Sequence, residues 1–297
     1  MVKGRCTTEY AVALGFFDGL HTAHLSVIEG VLSLREKGFS PAVMLFDQHP
    51  KKILSGDKIP LLQQTEKRDA KLQKMGVKPL YTVFSDIKDL SPEDFVKNIL
   101  ADKFSAGAVV CGFNYRFGKN GAGDSSLLRE ICARFGIEVV VCPEVLYEGE
   151  AVSSTRIRKL IKSGDIEEAN KMLGYNFSFT SEIFTGDRRG RLLGAPTINQ
   201  YLPDELIVPL FGVYASRVYF NGKEYIGVTN IGNRPTFDGE SVRSETFIIG
   251  FEGDLYGKAV EIELFKFIRP EQKFNTADEL KTQIAEDVEA TKKYFSV

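Results

Sequence analysis

Two of the chain's three histidines, His21 and His24, stand three residues apart in "GFFDGLHTAH" (residues 15–24), directly after an apolar run. At the start of a helix that spacing puts both imidazoles on one face beside backbone N–H groups. There they can donate hydrogen bonds to phosphate oxygens as charge develops. Spacing alone favours the other reading, a pair of satisfied surface histidines. In "VSSTRIRKL" (152–160), Ser153, Ser154 and Thr155 can cap a helix and offer hydroxyls to an anion. Arg156 and Arg158 add two cations within its first turns. Alone this segment is also a solvated basic helix start; with the histidines it supplies the other half of a polyphosphate clamp.

Further along, "APTIN" sets Thr197 and Asn199 two residues apart, with both oxygen-bearing side chains on one side of an extended segment. That donor pair suits magnesium and a nucleotide phosphate, and Pro196 fixes the local backbone. "TGDRRGR" carries Gly186 and Gly190, which permit close backbone approach to phosphates, with Arg191 nearby. A plain glycine-rich turn has the same composition. In "SETFII", Glu245 reads by strand alternation as a solvated carboxylate.

These residues need elements to hold them. Through residue 174 apolar strand-like runs alternate with helical patterns, from "EYAVALGF" and "HLSVIEGVLSLREKG" to "SLLREICARFG" and "IEVVVCP". Ser91 is placed as an N-cap with Pro92 at the first helical position. Such alternation with Val-rich strands predicts a parallel sheet covered on both faces, with ligands at the strands' carboxyl ends. Near residue 175 the period becomes two. "GVYASRVYF", Asn221-Gly222 and "KEYIGVTNIG" predict a hairpin with a type I′ turn. "SETFIIGF" and "KAVEIELFKFI" extend an antiparallel barrel or sandwich. A final helix starts at a Thr276/Glu279 capping box and carries a Leu280, Ile284, Val288 stripe. The expectation is an α/β protein of two domains, residues 1–174 and 175–297.

With 297 residues, 43% hydrophobic content and net charge -2, two ordinary cores fit and no broad basic field exists for nucleic acid. A small-molecule substrate fits better. "MVKGRCTTEY" lacks the apolar core of a signal peptide, and no run approaches a bilayer span. Cys6, Cys111, Cys132 and Cys142 form no CxxC pair, which argues against zinc and for a reduced, cytoplasmic setting.

In order along the chain, "GFFDGLHTAH", "LFDQHP", "GFNYRFGKNGAG" and "VSSTRIR" resemble the adenylyltransferase module of the bacterial bifunctional riboflavin kinase/FMN adenylyltransferase (FAD synthetase) family, in the HxGH nucleotidyltransferase superfamily. The resemblance continues through "GDRRGRLLGAPTIN", "NIGNRPTF", "ETFIIGF" and "LYGKAVEIELFKFIRPEQKF", so it spans essentially the whole chain. It implies a Rossmann-like nucleotidyltransferase domain followed by a flavokinase β-barrel with a terminal α-helix. In the first, FMN phosphate would attack the α-phosphorus of ATP, giving FAD and pyrophosphate with help from Mg2+. By resemblance His21 and His24 contact ATP phosphates, and Phe17 and Asp18 lie in the same signature turn. Asp18 serves equally well as a turn-stabilising side chain. Asn114 helps organise nucleotide and flavin, and Ser154, Thr155 and Arg158 belong to a mobile phosphate-binding segment. In the second domain the riboflavin 5′-hydroxyl would attack the γ-phosphorus of ATP, with Glu245 matching the family's catalytic glutamate as proton acceptor. Gly186, Gly190, Arg191, Thr197 and Asn199 fall in its nucleotide site, the last two also at its metal.

The chain departs from the family at four positions. Ala23 replaces the glycine of HxGH, Gln48 a turn proline, and Ala195 and Ile198 the Phe and Ala of "FPTAN". Two other functions stay open on the sequence: a paralogue with one working module, or a flavin- or nucleotide-binding sensor. Oligomeric state is not encoded in any pattern here.

Overall fold

The Val- and Ala-rich runs of the first half pair as a parallel sheet, as their lack of polar alternation requires. The computed structural model describes residues 9–47, 53, 56, 59–185, 197–236 and 239–297. In it β1 (Tyr10–Leu14), β2 (Ser40–Phe46), β3 (Lys78–Thr82), β4 (Ala106–Gly112) and β5 (Glu138–Cys142) lie in the order β3-β2-β1-β4-β5. All neighbours run parallel. Strand order reverses between β1 and β4, so the loops leaving their carboxyl ends diverge and open a crevice.

Alternate residues of β1 feed two cores. Ala11 and Ala13 face α1 (Thr22–Ser33), which buries Val27, Ile28 and Val31. Val12 and Leu14 face the opposite layer, with Phe95, Val96 and Leu100. The α1 layer also takes α2 (Thr65–Lys74), packed by Leu72, and the opposite layer α3 (Ser125–Arg134), packed by Leu128, Ile131 and Cys132. α1 approaches β4 so closely that a Cβ on Gly30 would lie 2.7 Å from Val110 Cγ1. The Ser91 cap forms, its hydroxyl accepting from Asp94 N at 3.1 Å, but the helix it starts continues over Phe95–Lys103 as a π-helix. Burial pushes the Cys111 and Cys132 thiols up to about 11 and about 12, so both behave as inert core residues.

The first compact unit comprises Met1–Ile59 with Thr65–Ser153, and the second Pro60–Gln64 with Ser154–Val297. The strand–helix pattern runs to residue 174, whereas the second unit begins at Ser154 because the next two helices pack on the barrel. These are α4 (Ser154–Ser163) and α5 (Ile166–Leu173). Asn170 Nδ2 donates to Leu264 O at 2.9 Å, and Leu210 N to Ile161 O at 3.1 Å.

After a short hairpin, β6 (Leu146–Tyr147) and β7 (Glu150–Ala151), come six strands: β8 (Ser178–Phe184), β9 (Thr197–Tyr201), β10 (Gly212–Phe220), β11 (Lys223–Thr236), β12 (Gly239–Ile248) and β13 (Ala259–Pro270). They close an antiparallel barrel in the order β10-β11-β12-β9-β8-β13, which resolves the barrel-or-sandwich alternative and removes free edges. Asn221 and Gly222 have φ of 48° and 71°, as a type I′ turn requires. The interior is partly polar. Ser216 Oγ bonds Thr229 Oγ1 at 2.7 Å, which bonds Thr246 Oγ1 at 2.9 Å, and all three residues are fully buried.

The terminal helix α6 (Ala277–Phe295) starts at the Thr276/Glu279 capping box. Leu280, Ile284 and Val288 of its stripe are half-buried, and the fully buried positions beside them are Asp287, which pairs with an arginine of β13, and Thr291. No helix among the described residues is long and apolar enough to cross a membrane.

Candidate functional site

In the first unit the histidine turn leaves the carboxyl end of β1 at the strand-order reversal. His21 is the N-cap of α1, and its Nδ1 accepts from His24 N at 3.3 Å. A neutral His21 with Nδ1 accepting carries its ring proton on Nε2. The two imidazoles stack with centroids 3.6 Å apart and planes at 16°. His21 is only 3% exposed, so it is not a surface histidine; His24 is half-buried.

The turn before them is strained. Phe17 has φ 55° and Leu20 φ 39°, values a bulky residue rarely adopts. That bend buries Phe17 and sets its ring 5.3 Å from that of His24. Asp18 is buried too, at 2% exposure. Ala23 sits at the second helical position between the imidazoles. Asn114 follows β4 by two residues and is exposed, so it and the histidines leave adjacent strand ends. Behind it, desolvation raises the Tyr115 phenol far above its ordinary range, with the Cys111 and Cys132 sulfurs adding to it. Downstream, the backbone N–H groups of Leu127 and Ser126 bond Asp124 at the α3 cap and hold its carboxyl below the usual carboxylate range.

Ser154 and Thr155 are the first residues of α4, in the second compact unit. Arg158, a turn further on, donates Nε to Pro60 O at 2.8 Å. Gly186, Gly190, Arg191, Ala195 and Pro196, like Gln48 in the first unit, lie outside the described residues.

The barrel's outer face carries a second constellation. Glu245 of β12 lies directly across from Asn199 of β9 on one side and Asn230 of β11 on the other. Thr197 pairs with Phe247 one step along. Alternation separates the faces: Ser244, Thr246 and Ile248 point into the barrel, while Glu245 and Phe247 are half-buried on its outside. Here a cavity of about 220 Å³ opens, with Glu245, Thr197, Asn230 and Glu271 among its polar walls. Val213, Val228, Phe247, Phe274, Leu280 and Ile284 supply an apolar side. Asn199, at 8% exposure, donates Nδ2 to Thr197 O at 3.5 Å.

The α6 wall is pinned by a bidentate ion pair. Arg269 donates Nε to Asp287 Oδ1 and Nη2 to Asp287 Oδ2, both at 2.8 Å. Gln283 Nε2 adds a contact to Asp287 Oδ1 at 3.3 Å. Asn230, Arg269, Glu271 and Asp287 escaped the sequence reading. Asp287 gave no signal in the sequence, since exposed carboxylates such as Glu279 and Glu286 flank the same stripe, and its burial follows only from Arg269 across from it. Asn230 and Glu271 become visible only through strand register.

Among the described residues no group of three or more His, Cys, Asp or Glu side chains is placed to hold a metal. Thr197 and Asn199 offer neutral oxygens instead. That donor set fits a magnesium whose other ligands come from nucleotide phosphates and water.

Residues 4–156 match the family model for FAD synthetase, and residues 173–295 that for riboflavin kinase. Three relatives share one name, bifunctional riboflavin kinase/FMN adenylyltransferase. That of Listeria monocytogenes is 36% identical over 292 residues, 96% of this chain and 92% of the relative. That of Bacillus subtilis is 36% identical over 294 residues, with the same coverage. That of Escherichia coli K12 is 31% identical over 291 residues, covering 96% and 93%. A crystal structure named as a macrolide-efflux protein from Streptococcus pneumoniae is similar at TM-score 0.89 and 31% identity, covering 96% of this chain and 94% of its own.

Proposed function

The chain belongs to the bifunctional riboflavin kinase/FMN adenylyltransferase family and makes FAD from riboflavin, and from that premise we propose which residues carry its two transfers. Residues 175–297 phosphorylate riboflavin, and residues 1–174 adenylylate the FMN formed.

In the kinase step the flavin's 5′-hydroxyl attacks the γ-phosphorus of ATP, the bond from that phosphorus to the β,γ-bridging oxygen breaks to release ADP, and Glu245 accepts the hydroxyl proton. The observation that carries this reading is the position of Glu245. Its carboxylate stands in a cavity with one apolar wall, flanked across the ladder by Asn199 and Asn230. Thr197 and Asn199 hold a Mg2+ that would neutralise phosphate charge when bound. Gly186, Gly190 and Arg191 cradle the ATP phosphates.

In the adenylyl step the FMN phosphate attacks the α-phosphorus of ATP. Catalysis is positioning and charge stabilisation. His21 donates from Nε2, His24 donates beside it, and the N-terminal N–H groups of α1 add a favourable dipole. The support is their emergence, with Asn114, at the strand-order reversal of a parallel sheet. Phe17 and Asp18 shape the turn. Ser154, Thr155 and Arg158 make up a phosphate-binding segment at the start of α4, and pyrophosphate is the leaving group of this step. ATP, riboflavin and FMN are the small-molecule partners, in the cytoplasm, with no nucleic acid or membrane required.

A chromatographic assay with ATP and Mg2+ tests both steps, with riboflavin in one tube and FMN in another. FMN followed by FAD from riboflavin is the expected result. FMN accumulating without FAD would remove the histidine assignment, and FAD from FMN alone would remove the Glu245 assignment.

A further inference from the structure

The cavity holds a second carboxylate that the kinase chemistry does not use. Glu271 follows β13 directly, and its Oε1 accepts from Asn230 Nδ2 at 3.4 Å. It lies flat across β11 because Gly232 has no side chain: a Cβ there would stand 2.1 Å from Oε1 and 2.8 Å from Cδ. Gly232 and Asn230 are two apart on one strand face, and Asn230 is the ladder neighbour of Glu245. Three hydrogen-bonding groups, Glu245, Asn230 and Glu271, therefore follow one another across the cavity wall, with roughly 5 Å between the Cα atoms of the first two.

The phosphorylated hydroxyl of riboflavin ends a five-carbon chain bearing three secondary hydroxyls. With that terminal hydroxyl at Glu245 and the ring against the apolar wall, the chain passes Asn230 and Glu271. A carboxylate has about four acceptor sites, of which Asn230 takes one. We propose that Glu271, oriented by Asn230 across Gly232, determines specificity by accepting hydrogen bonds from the secondary hydroxyls of the flavin's polyol chain. This rests on the assignment of the cavity to the kinase reaction.

The test compares riboflavin with a flavin of the same ring and an unbranched 5-hydroxypentyl chain. Dissociation constants for both come from quenching of flavin fluorescence by full-length protein. Glu271→Ala removes the carboxylate, and Gly232→Ala pushes it off Asn230 while leaving every other group in place. The expected result in both variants is a preference for riboflavin reduced about tenfold or more, as for a lost hydrogen bond to a charged group. Affinity for the hydroxypentyl flavin stays, and KM for riboflavin rises more than kcat falls. An unchanged preference, or equal losses for both flavins, overturns the proposal. FAD formation from supplied FMN by the same preparations reports folding. If Glu245→Gln still forms FMN at the parent rate, the kinase assignment of the cavity fails, whatever the two flavins do.

Discussion

The histidine turn and the Glu245 cavity face the same task, holding phosphates while an oxygen attacks, and they are built in opposite ways. The turn is local. His21, His24, Phe17 and Asp18 span eight residues, and their geometry comes from one helix start and a strained bend before it. The cavity is assembled from afar, with Thr197, Asn230, Glu245, Glu271 and Asp287 on five segments joined by strand register and a helix. A local site keeps its shape wherever its helix starts. A register-built site keeps it only while every strand and the covering helix stay in place.

The sharpest separation between the two comes from Glu245→Gln. FMN formation from riboflavin is expected to fall by about 10²–10⁴, the worth of a positioned general base. FAD formation from supplied FMN should not change. A parallel fall in both products, seen by chromatography, would mean the two constellations are not independent.

His24→Ala is the mirror experiment. Losing one donor to a charged transition state costs about 10²–10³ in rate, here in FAD formation alone, with riboflavin phosphorylation intact. His21→Ala should add a stability loss of about 1 kcal/mol, because that ring also caps α1. Equal melting temperatures for the two variants would show that the cap contributes nothing.

The same contrast explains what could be read before the structure. The α/β alternation, the type I′ turn at Asn221-Gly222, the capping box at Thr276 and the histidine pair are all set by neighbours within a few residues. Each follows from local propensity and spacing. The π-helix over Phe95–Lys103 did not show, because its apolar spacing is compatible with an ordinary helix. The grouping of α4 and α5 with the barrel did not show either, since Asn170 reaches Leu264 across 94 positions. For the same reason Thr197, Asn199 and Glu245 were legible as motif matches, but Asn230 and Glu271, which complete the wall around Glu245, were not.

Asp287→Asn probes the dependence of the cavity on its covering helix. The Asp287 side chain is 4% exposed and that of Arg269 19%, so removing the carboxylate charge strands a largely buried guanidinium. The expected cost is on the order of 3 kcal/mol, read as a lower midpoint in urea unfolding. Riboflavin KM should rise as Leu280 and Ile284 loosen, while FAD formation from FMN holds. A normal midpoint with a normal KM would mean that α6 is seated by its apolar contacts alone.

The smallest expected effect lies at Ala23, where the chain differs from HxGH. On a helix the Cα–Cβ bond tilts toward the N-terminus, so the Ala23 methyl leans toward the end of α1 where phosphate would sit. Two consequences of Ala23→Gly then oppose each other. Glycine loosens the first turn, by less than the roughly 0.5–1 kcal/mol it costs in a helix interior, and it lets phosphate oxygens approach the N–H groups more closely. The stacked rings and the His21 cap already hold that turn, so the second effect should dominate. FAD formation from FMN is expected to rise by about threefold in kcat/KM, equivalent to roughly 0.6 kcal/mol of barrier, with a slightly lower melting temperature. A fall in rate together with the lower melting temperature would show that the methyl stiffens the turn without crowding it. The local site would then owe its geometry to helix propensity as much as to its histidines.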